Sequence, residues 1–165
     1  LLDLADDEIV VNVQGDEPLI PPELIERAAQ KLANNNAPMA TAAHYIHDFN
    51  EFINLNCVKV VLNQAGNALY FSRAPIAYPR DLMLAGKAEL PHPAPLRHIG
   101  IYAYRVDFLK KYANLSASPL EICESLEQLR VLWHGYEIAV EVLDSAPPAG
   151  VDTVEDLVRV RTYFD

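Results

Sequence analysis

Ile9-Val10-Val11-Asn12-Val13-Gln14-Gly15-Asp16-Glu17-Pro18 passes from a β-branched apolar run to a polar, acidic tip. Residues 9–13 read as a short strand buried on both faces. A glutamine, a glycine, two acids and a proline then end it. In open α/β sheets, ligands settle just beyond the carboxyl ends of strands. Gly15 lets a ligand approach the backbone. The Asp16 carboxylate suits a divalent cation that carries phosphates. The plainer alternative is a strand followed by a solvated acidic turn.

Strand and helix patterns alternate on the carboxyl side of this segment, which predicts an α/β architecture. Pro21-Pro22-Glu23 opens a helix with proline and an acid in its first turn. Leu24, Ile25, Ala28, Ala29 and Leu32 form its apolar stripe, and Asn34-Asn35-Asn36 closes it. Residues 38–45 read as a strand. Asp48, with Glu51 three residues on, caps a short helix. Residues 58–62 and 68–72 read as strands of a hairpin around Asn63-Gln64-Ala65-Gly66-Asn67. The proline-rich stretch 75–95 reads as an irregular surface excursion of functional length. Residues 97–105 form the next strand. Ser118-Pro119-Leu120-Glu121 starts a helix expected to run to about Trp133. Residues 138–143 form a further strand, and Gly150-Val151-Asp152-Thr153 leads into a last helix. No repeat, low-complexity tract or linker interrupts the pattern, so residues 1–165 read as one domain.

Composition narrows the function. The 165 residues suffice for a core. A composition 51% hydrophobic and 22% charged argues against disorder. Lys and Arg total 13 against 23 Asp and Glu, a net charge of -10. That balance argues against nucleic acid polymer or an anionic membrane as main partner. A single nucleotide remains open, because a metal can bridge acidic side chains to phosphate. Cys57 and Cys123 form no motif, as expected of a reduced, cytoplasmic protein. No apolar run is long enough to span a bilayer, and no signal peptide is visible. The opening Leu1-Leu2-Asp3-Leu4-Ala5 lacks a methionine and reads as a helix tail. The expectation is that an N-terminal portion is missing.

Four groups of residues can carry chemistry. In His98-Ile99-Gly100-Ile101-Tyr102-Ala103-Tyr104, strand alternation puts His98, Gly100, Tyr102 and Tyr104 on one face. An imidazole, a gap and a phenol suit a polyhydroxylated ligand. The alternative is a sheet face covered by another segment. Arg73 and Arg80 stand near the hairpin mouth, where a guanidinium grips carboxylate or phosphate. The alternative is surface pairing with Asp81 or another acid. Glu124, Glu127 and Gln128 share one side of the helix after Ser118, opposite a buried stripe of Ile122, Leu126, Leu129 and Trp133. That polar side also reads as merely solvated. Asp152 reads as a helix N-cap. If it converges with Asp16, the two make a magnesium site completed by phosphate oxygens and water. The five histidines and two cysteines lack zinc-type spacing. Neither a nucleophile elbow nor a Walker loop occurs.

Five blocks in order complete the reading. They are Val13-Gln14-Gly15-Asp16-Glu17-Pro18-Leu19-Ile20, Tyr70-Phe71-Ser72-Arg73-Ala74-Pro75-Ile76, His98 to Tyr104 as quoted, Glu124-Ser125-Leu126-Glu127-Gln128-Leu129-Arg130, and Gly150-Val151-Asp152-Thr153. Together they resemble the 3-deoxy-D-manno-octulosonate (Kdo) cytidylyltransferases, also called CMP-Kdo synthetases. The resemblance implies a Rossmann-like nucleotide-diphospho-sugar transferase fold, a mixed sheet flanked by helices, here N-terminally incomplete. It implies a homodimeric nucleotidyltransferase that converts CTP and Kdo to CMP-Kdo and pyrophosphate with magnesium, for lipopolysaccharide biosynthesis. By matching motif, Asp16 and Asp152 are the implied catalytic metal ligands. Gln14, Arg73, Arg80, His98, Tyr102, Glu127 and Gln128 are the implied Kdo pocket. The family's first strand and its Gly/Ser/Arg/Lys-rich nucleotide loop have no counterpart in this sequence. The chain alone is therefore expected to be inactive or nearly so. The alternatives are a cytidylyltransferase for another sugar acid, such as a sialic acid, and a non-catalytic sugar-binding or dimerisation fragment.

Overall fold

The strand signals converge on one sheet, and its longest strand positions the rest. The computed structural model describes residues 4–148, 150, 151 and 153–164. In chain order the elements are β1 (Ile9–Val13), α1 (Pro22–Ala33), β2 (Met39–Tyr45), α2 (Phe49–Ile53), β3 (Lys59–Leu62), β4 (Ala68–Ser72), α3 (Arg80–Leu84), β5 (Leu96–Arg105), α4 (Val106–Tyr112), α5 (Pro119–Glu124), α6 (Leu129–Trp133), β6 (Ile138–Leu143) and α7 (Val154–Arg161). β2 lies antiparallel along one edge of β5, from Leu96 to Tyr104. The other edge of β5 is shared. β3 pairs with Leu96 and Arg97, and β1 pairs with Ile101 to Arg105. β4 extends the sheet beyond β3, and β6 runs parallel to β2. The result is a mixed six-stranded sheet of order β4-β3-β5-β2-β6, with β1 beside β5.

Side-chain alternation divides the core between the two faces of this sheet. Met39, Ala43, Tyr102 and Tyr104 face one side and pack with Phe108, Leu126, Leu129 and Val131. Ala40, Ala42, Ile99, Ile101 and Ala103 face the other and receive Leu24, Ala28 and Leu32 of α1. The alanines let α1 approach closely, and burying Leu24 or Leu32 contributes about 1.5–3 kcal/mol each. α1 starts as its sequence predicts, with Pro22 and Glu23 in the first turn and Lys31 in the last. α2 is capped by Asp48, whose carboxylate accepts from the Asn50 N–H. The hairpin turn is braced by Asn63, whose side chain accepts from the Ala65 and Asn67 N–H groups. Its Gly66, at φ +79°, offers a carbonyl to the N–H of Val140 in β6.

Three expectations need correction. β1 is not buried on both faces: its valines and Ile9 are half-buried and Asn12 is exposed. Among the described residues β5 is its only strand neighbour, so its other edge stays open. The helix expected from Ser118 to Trp133 breaks in the middle. Ser125 takes a left-handed conformation at φ +53°, and the Leu126 N–H reaches back to the Glu121 carbonyl. That six-to-one bond is a Schellman stop, with serine where glycine is usual. The break turns Ile122 and Trp133 to solvent, at 70% and 53% exposure, while Leu126 and Leu129 stay buried. Finally, the excursion at 75–95 contains α3, one short helix with no buried residue. No helix of the described residues is long and apolar enough to cross a membrane.

Candidate active site

β1 and β3 approach β5 from opposite ends of one edge and never meet. Their pairings stop at Ile101 and Arg97, leaving His98, Ile99 and Gly100 between them. Among the described residues, the main chain on that edge is engaged at His98, whose N–H bonds the Val58 carbonyl at 2.8 Å. Strands that diverge from a common neighbour leave a crevice at their ends. Here the crevice is a cavity of about 630 Å³.

The sequence-predicted residues gather in it from four elements. Gln14 and Asp16 come from the end of β1, Arg73 from the end of β4, His98 and Tyr102 from β5, and Glu127 and Gln128 from the turn before α6. Arg80 does not join them. It sits on α3 with its guanidinium 3.1 Å from Asp81, both side chains largely in water. Asp152 lies outside the described residues. The segment before it does reach the β1 end: the Val151 N–H donates to the Asp16 carbonyl at 2.8 Å. A Cβ on Gly150 would stand 2.8 Å from that same carbonyl oxygen, so only glycine permits this approach.

Each side chain is set by its surroundings. β5 bulges against β2 between Thr41 and Ala42, and the Thr41 hydroxyl fills the irregularity. It lies 2.8 Å from the Ile101 carbonyl and 2.9 Å from His98 Nε2. With its one proton given to Ile101, Thr41 accepts from Nε2–H, which leaves Nδ1 of His98 as an acceptor. Phe71 meets the imidazole edge-on at 5.1 Å and Tyr102 lies 5.5 Å away. Burial lowers the His98 pKa to about 3, so the ring is neutral at physiological pH. Burial likewise raises the Tyr102 phenol well above its ordinary value, and nearby Glu127 adds to it. Tyr102 is therefore a protonated donor. Gly100 leaves room for the Gln14 amide, which lies 3.3 Å from where a Cβ would stand. Gln128 is 2% exposed, and among the described residues its amide nitrogen has no partner. A buried orphan donor at a cavity wall is what a ligand oxygen completes.

Arg73 is bound without being neutralised. Its guanidinium donates to the carbonyls of Glu124 at 2.7 Å, Leu55 at 3.2 Å and Ser125 at 3.4 Å. The Glu124 carboxylate turns elsewhere, to the Ser72 hydroxyl at 2.7 Å and the Arg73 N–H at 2.8 Å. Glu124 is thus half-buried and does not line the cavity: it pins the end of β4 to α5. Sequence reasoning missed this, and it missed His44, Asn56 and Arg97, which also border the cavity. His44 is buried and spends Nδ1 on the Tyr45 carbonyl. Arg97 bonds Glu51 at 2.8 Å. Burial works against the Arg97 charge, but Glu51 outweighs it and raises the pKa. The readable signal was Arg97 beside His98; nothing local marks His44 or Asn56.

Metal fit turns on Asp16. Among the described residues its exposed carboxylate has no hydrogen-bond or ion-pair partner, and no three His, Cys, Asp or Glu cluster to cage an ion. Magnesium keeps several waters and needs only one or two carboxylates plus phosphate. The donor set fits that hard-oxygen cation and no caged metal.

A family model described as Cytidylyltransferase matches residues 1–138. The chain belongs to the cytidylyltransferase family. The 3-deoxy-manno-octulosonate cytidylyltransferase of Neisseria gonorrhoeae (strain NCCP11945) is 69% identical over 157 residues, covering 94% of this chain and 62% of that protein. The enzyme of the same name from Herminiimonas arsenicoxydans is 59% identical over 165 residues, covering 99% and 66%. A solved structure of CMP:2-keto-3-deoxy-manno-octonic acid synthetase complexed with CTP superposes with a TM-score of 0.84 at 41% identity. It covers 97% of this chain and 62% of that one. This cytidylyltransferase chain thus spans less than two thirds of the length of these relatives.

Proposed function

We propose that the cavity is the sugar-acid side of an enzyme that couples CTP to Kdo, forming CMP-Kdo and releasing pyrophosphate. The observation that carries the reading is the gathering of Gln14, Arg73, His98, Tyr102, Glu127 and Gln128 around one crevice. Relatives 59–69% identical bear the name of that activity. In the reaction, the anomeric hydroxyl of Kdo loses its proton to solvent, and its oxygen bonds the α-phosphorus as the bond to pyrophosphate breaks.

The chain's own residues supply binding and orientation. Arg73 keeps its charge at any working pH and anchors the sugar acid's carboxylate. The Gln128 amide and Tyr102 hydroxyl donate to ligand oxygens, and the Glu127 carboxylate accepts from sugar hydroxyls. His98, whose conjugate acid is too strong to form near neutrality, orients a hydroxyl rather than removing its proton. Asp16 and Asp152 would hold magnesium, which when bound neutralises phosphate charge and acidifies a coordinated hydroxyl. The reading extends to a cytoplasmic homodimer serving lipopolysaccharide biosynthesis.

Isothermal titration with Kdo, with a sialic acid and with an uncharged hexose tests the assignment. Saturable heat with Kdo, at least tenfold weaker with the sialic acid and absent with the hexose, is expected. Arg73→Ala should weaken Kdo binding by about tenfold to a hundredfold, as loss of a charged hydrogen bond costs about 1.5–3 kcal/mol. Equal binding of all three sugars, or none, removes the Kdo assignment.

A further inference from the structure

A buried ammonium stands behind the Arg73 wall of the cavity. Lys59 opens β3 in the run Val58-Lys59-Val60-Val61-Leu62 and is 0% exposed. Its Nζ donates to the main-chain carbonyls of Asn54 at 2.8 Å, and of Cys57 and Arg73 at 2.5 Å each. All three protons go to neutral acceptors, and among the described residues no carboxylate pairs with the charge. Burying such a group is costly, and an apolar side chain of the same length would fill the space without that cost. Burial lowers its pKa; Cys57 and Glu124 oppose this, while Arg73 and Arg97 push the same way. The lysine thus shares its surroundings with the Glu124 carboxylate and two further cations, and among the described residues it ion-pairs with no acid.

The three carbonyls belong to two separate pieces of chain, the 54–57 turn and the end of β4. Asn54 closes α2, Cys57 precedes β3, and Arg73 follows β4. Those pieces carry Asn56 and Arg73, two walls of the cavity. Arg73 is held from its other sides by the Glu124 carboxylate on its N–H and by three carbonyls on its guanidinium. Remove the Lys59 ammonium and the Arg73 carbonyl loses its partner, while the 54–57 turn loses two. Among the described residues, the turn's other hydrogen bond to the end of β4 is the 3.2 Å one from Arg73 to Leu55, beside the ladder pairing of Lys59 with Ser72.

We propose that Lys59 is a positioning residue, which locks Arg73 and the 54–57 turn in place so that the cavity presents a fixed cationic wall to the carboxylate of its ligand. The inference rests on the sugar-acid reading for the identity of that carboxylate, but its geometric content does not.

The test uses Lys59→Met, which keeps length without charge, and Lys59→Arg, in the full chain. Three measurements are made: Kdo affinity by calorimetry, thermal melting, and the ¹⁵N–¹H resonance of the Arg73 Nε–H, assigned by its loss in Arg73→Lys. Lys59→Met should lower Kdo affinity tenfold or more and shift or broaden the Arg73 resonance, with Lys59→Arg partly restoring both. A purely structural lysine would lower the melting temperature yet leave the affinity of the folded protein and the Arg73 resonance unchanged; that result overturns the proposal. If the unaltered protein binds no Kdo, the sugar-acid reading fails on its own, and the Arg73 resonance still decides the role of Lys59. Should Lys59→Met not fold, Lys59→Gln keeps donors for part of the carbonyl set and carries the same measurements.

Discussion

His98 stores the clearest pH dependence in the chain. Its imidazole is neutral in the fold because burial lowers its pKa from 6.5 to about 3. The unfolded chain therefore binds a proton that the folded chain refuses throughout that interval. Stability falls as pH drops from about 6.5 toward 3, by up to about 1.4 kcal/mol per pH unit from this group. Above 6.5 both states are neutral and the contribution is flat. His98→Gln keeps a donor for Thr41 and removes the titration. Urea midpoints measured from pH 7 to 4 should fall less steeply in His98→Gln than in the unaltered protein. Parallel slopes would mean that water reaches the ring and the burial argument is wrong. The same residue shows what local pattern conveys. Alternation from His98 to Tyr104 places the imidazole and both phenols on one face, as predicted, because a period of two is a property of the strand itself. The bulge at Thr41 that aims the ring is set by β2, and no neighbour in sequence records it.

Strands and helices were legible where their own residues specify them. Pro22 and Glu23 start α1, Asn63 folds the hairpin turn, and Asp48 caps α2, all through short-range chemistry. The α5–α6 break was not, because Glu124, Leu126, Glu127, Gln128 and Leu129 are all good helix formers. What competes is tertiary: Glu124 is drawn to Ser72 and Arg73, and Leu126 to the core. The chain meets both demands by turning through a left-handed Ser125. That conformation costs a residue with a Cβ about 1–2 kcal/mol. Ser125→Gly should preserve or raise stability, by up to about 1 kcal/mol once the looser unfolded chain is counted. Ser125→Val should lower it by about 1–2 kcal/mol, as β-branching adds to the strain. Chemical denaturation of the two variants settles the order. Equal midpoints would show that the turn relaxes freely and that the break is not under strain.

Site assembly depends on contacts between distant parts of the chain, and there the sequence speaks through residue types alone. Gln14 and Arg73 were recognisable as polar groups at strand ends, and Glu127 as part of a helix's polar side. Lys59 was visible only as one charge in an apolar run, and its three carbonyls came from the fold. Gly150 shows how narrow the tolerances are. It lies against the end of β1, where a Cβ would meet the Asp16 carbonyl oxygen at 2.8 Å and the Glu17 carboxyl at 3.0 Å. The first of these is backbone and cannot swing aside. Gly150→Ala must therefore push the 150–151 segment away from β1 and stretch the bond from Val151 to Asp16. Overpacking of this kind costs about 1–3 kcal/mol. On the proposed reading the loss falls on the cation, since the displaced segment leads directly into Asp152. Gly150→Ala should then require at least tenfold more magnesium for half-maximal turnover in the full-length enzyme, while Kdo affinity at saturating magnesium changes little. A variant with unaltered magnesium dependence would show that this contact is slack and that Asp16 does not share its ion with the segment after Gly150.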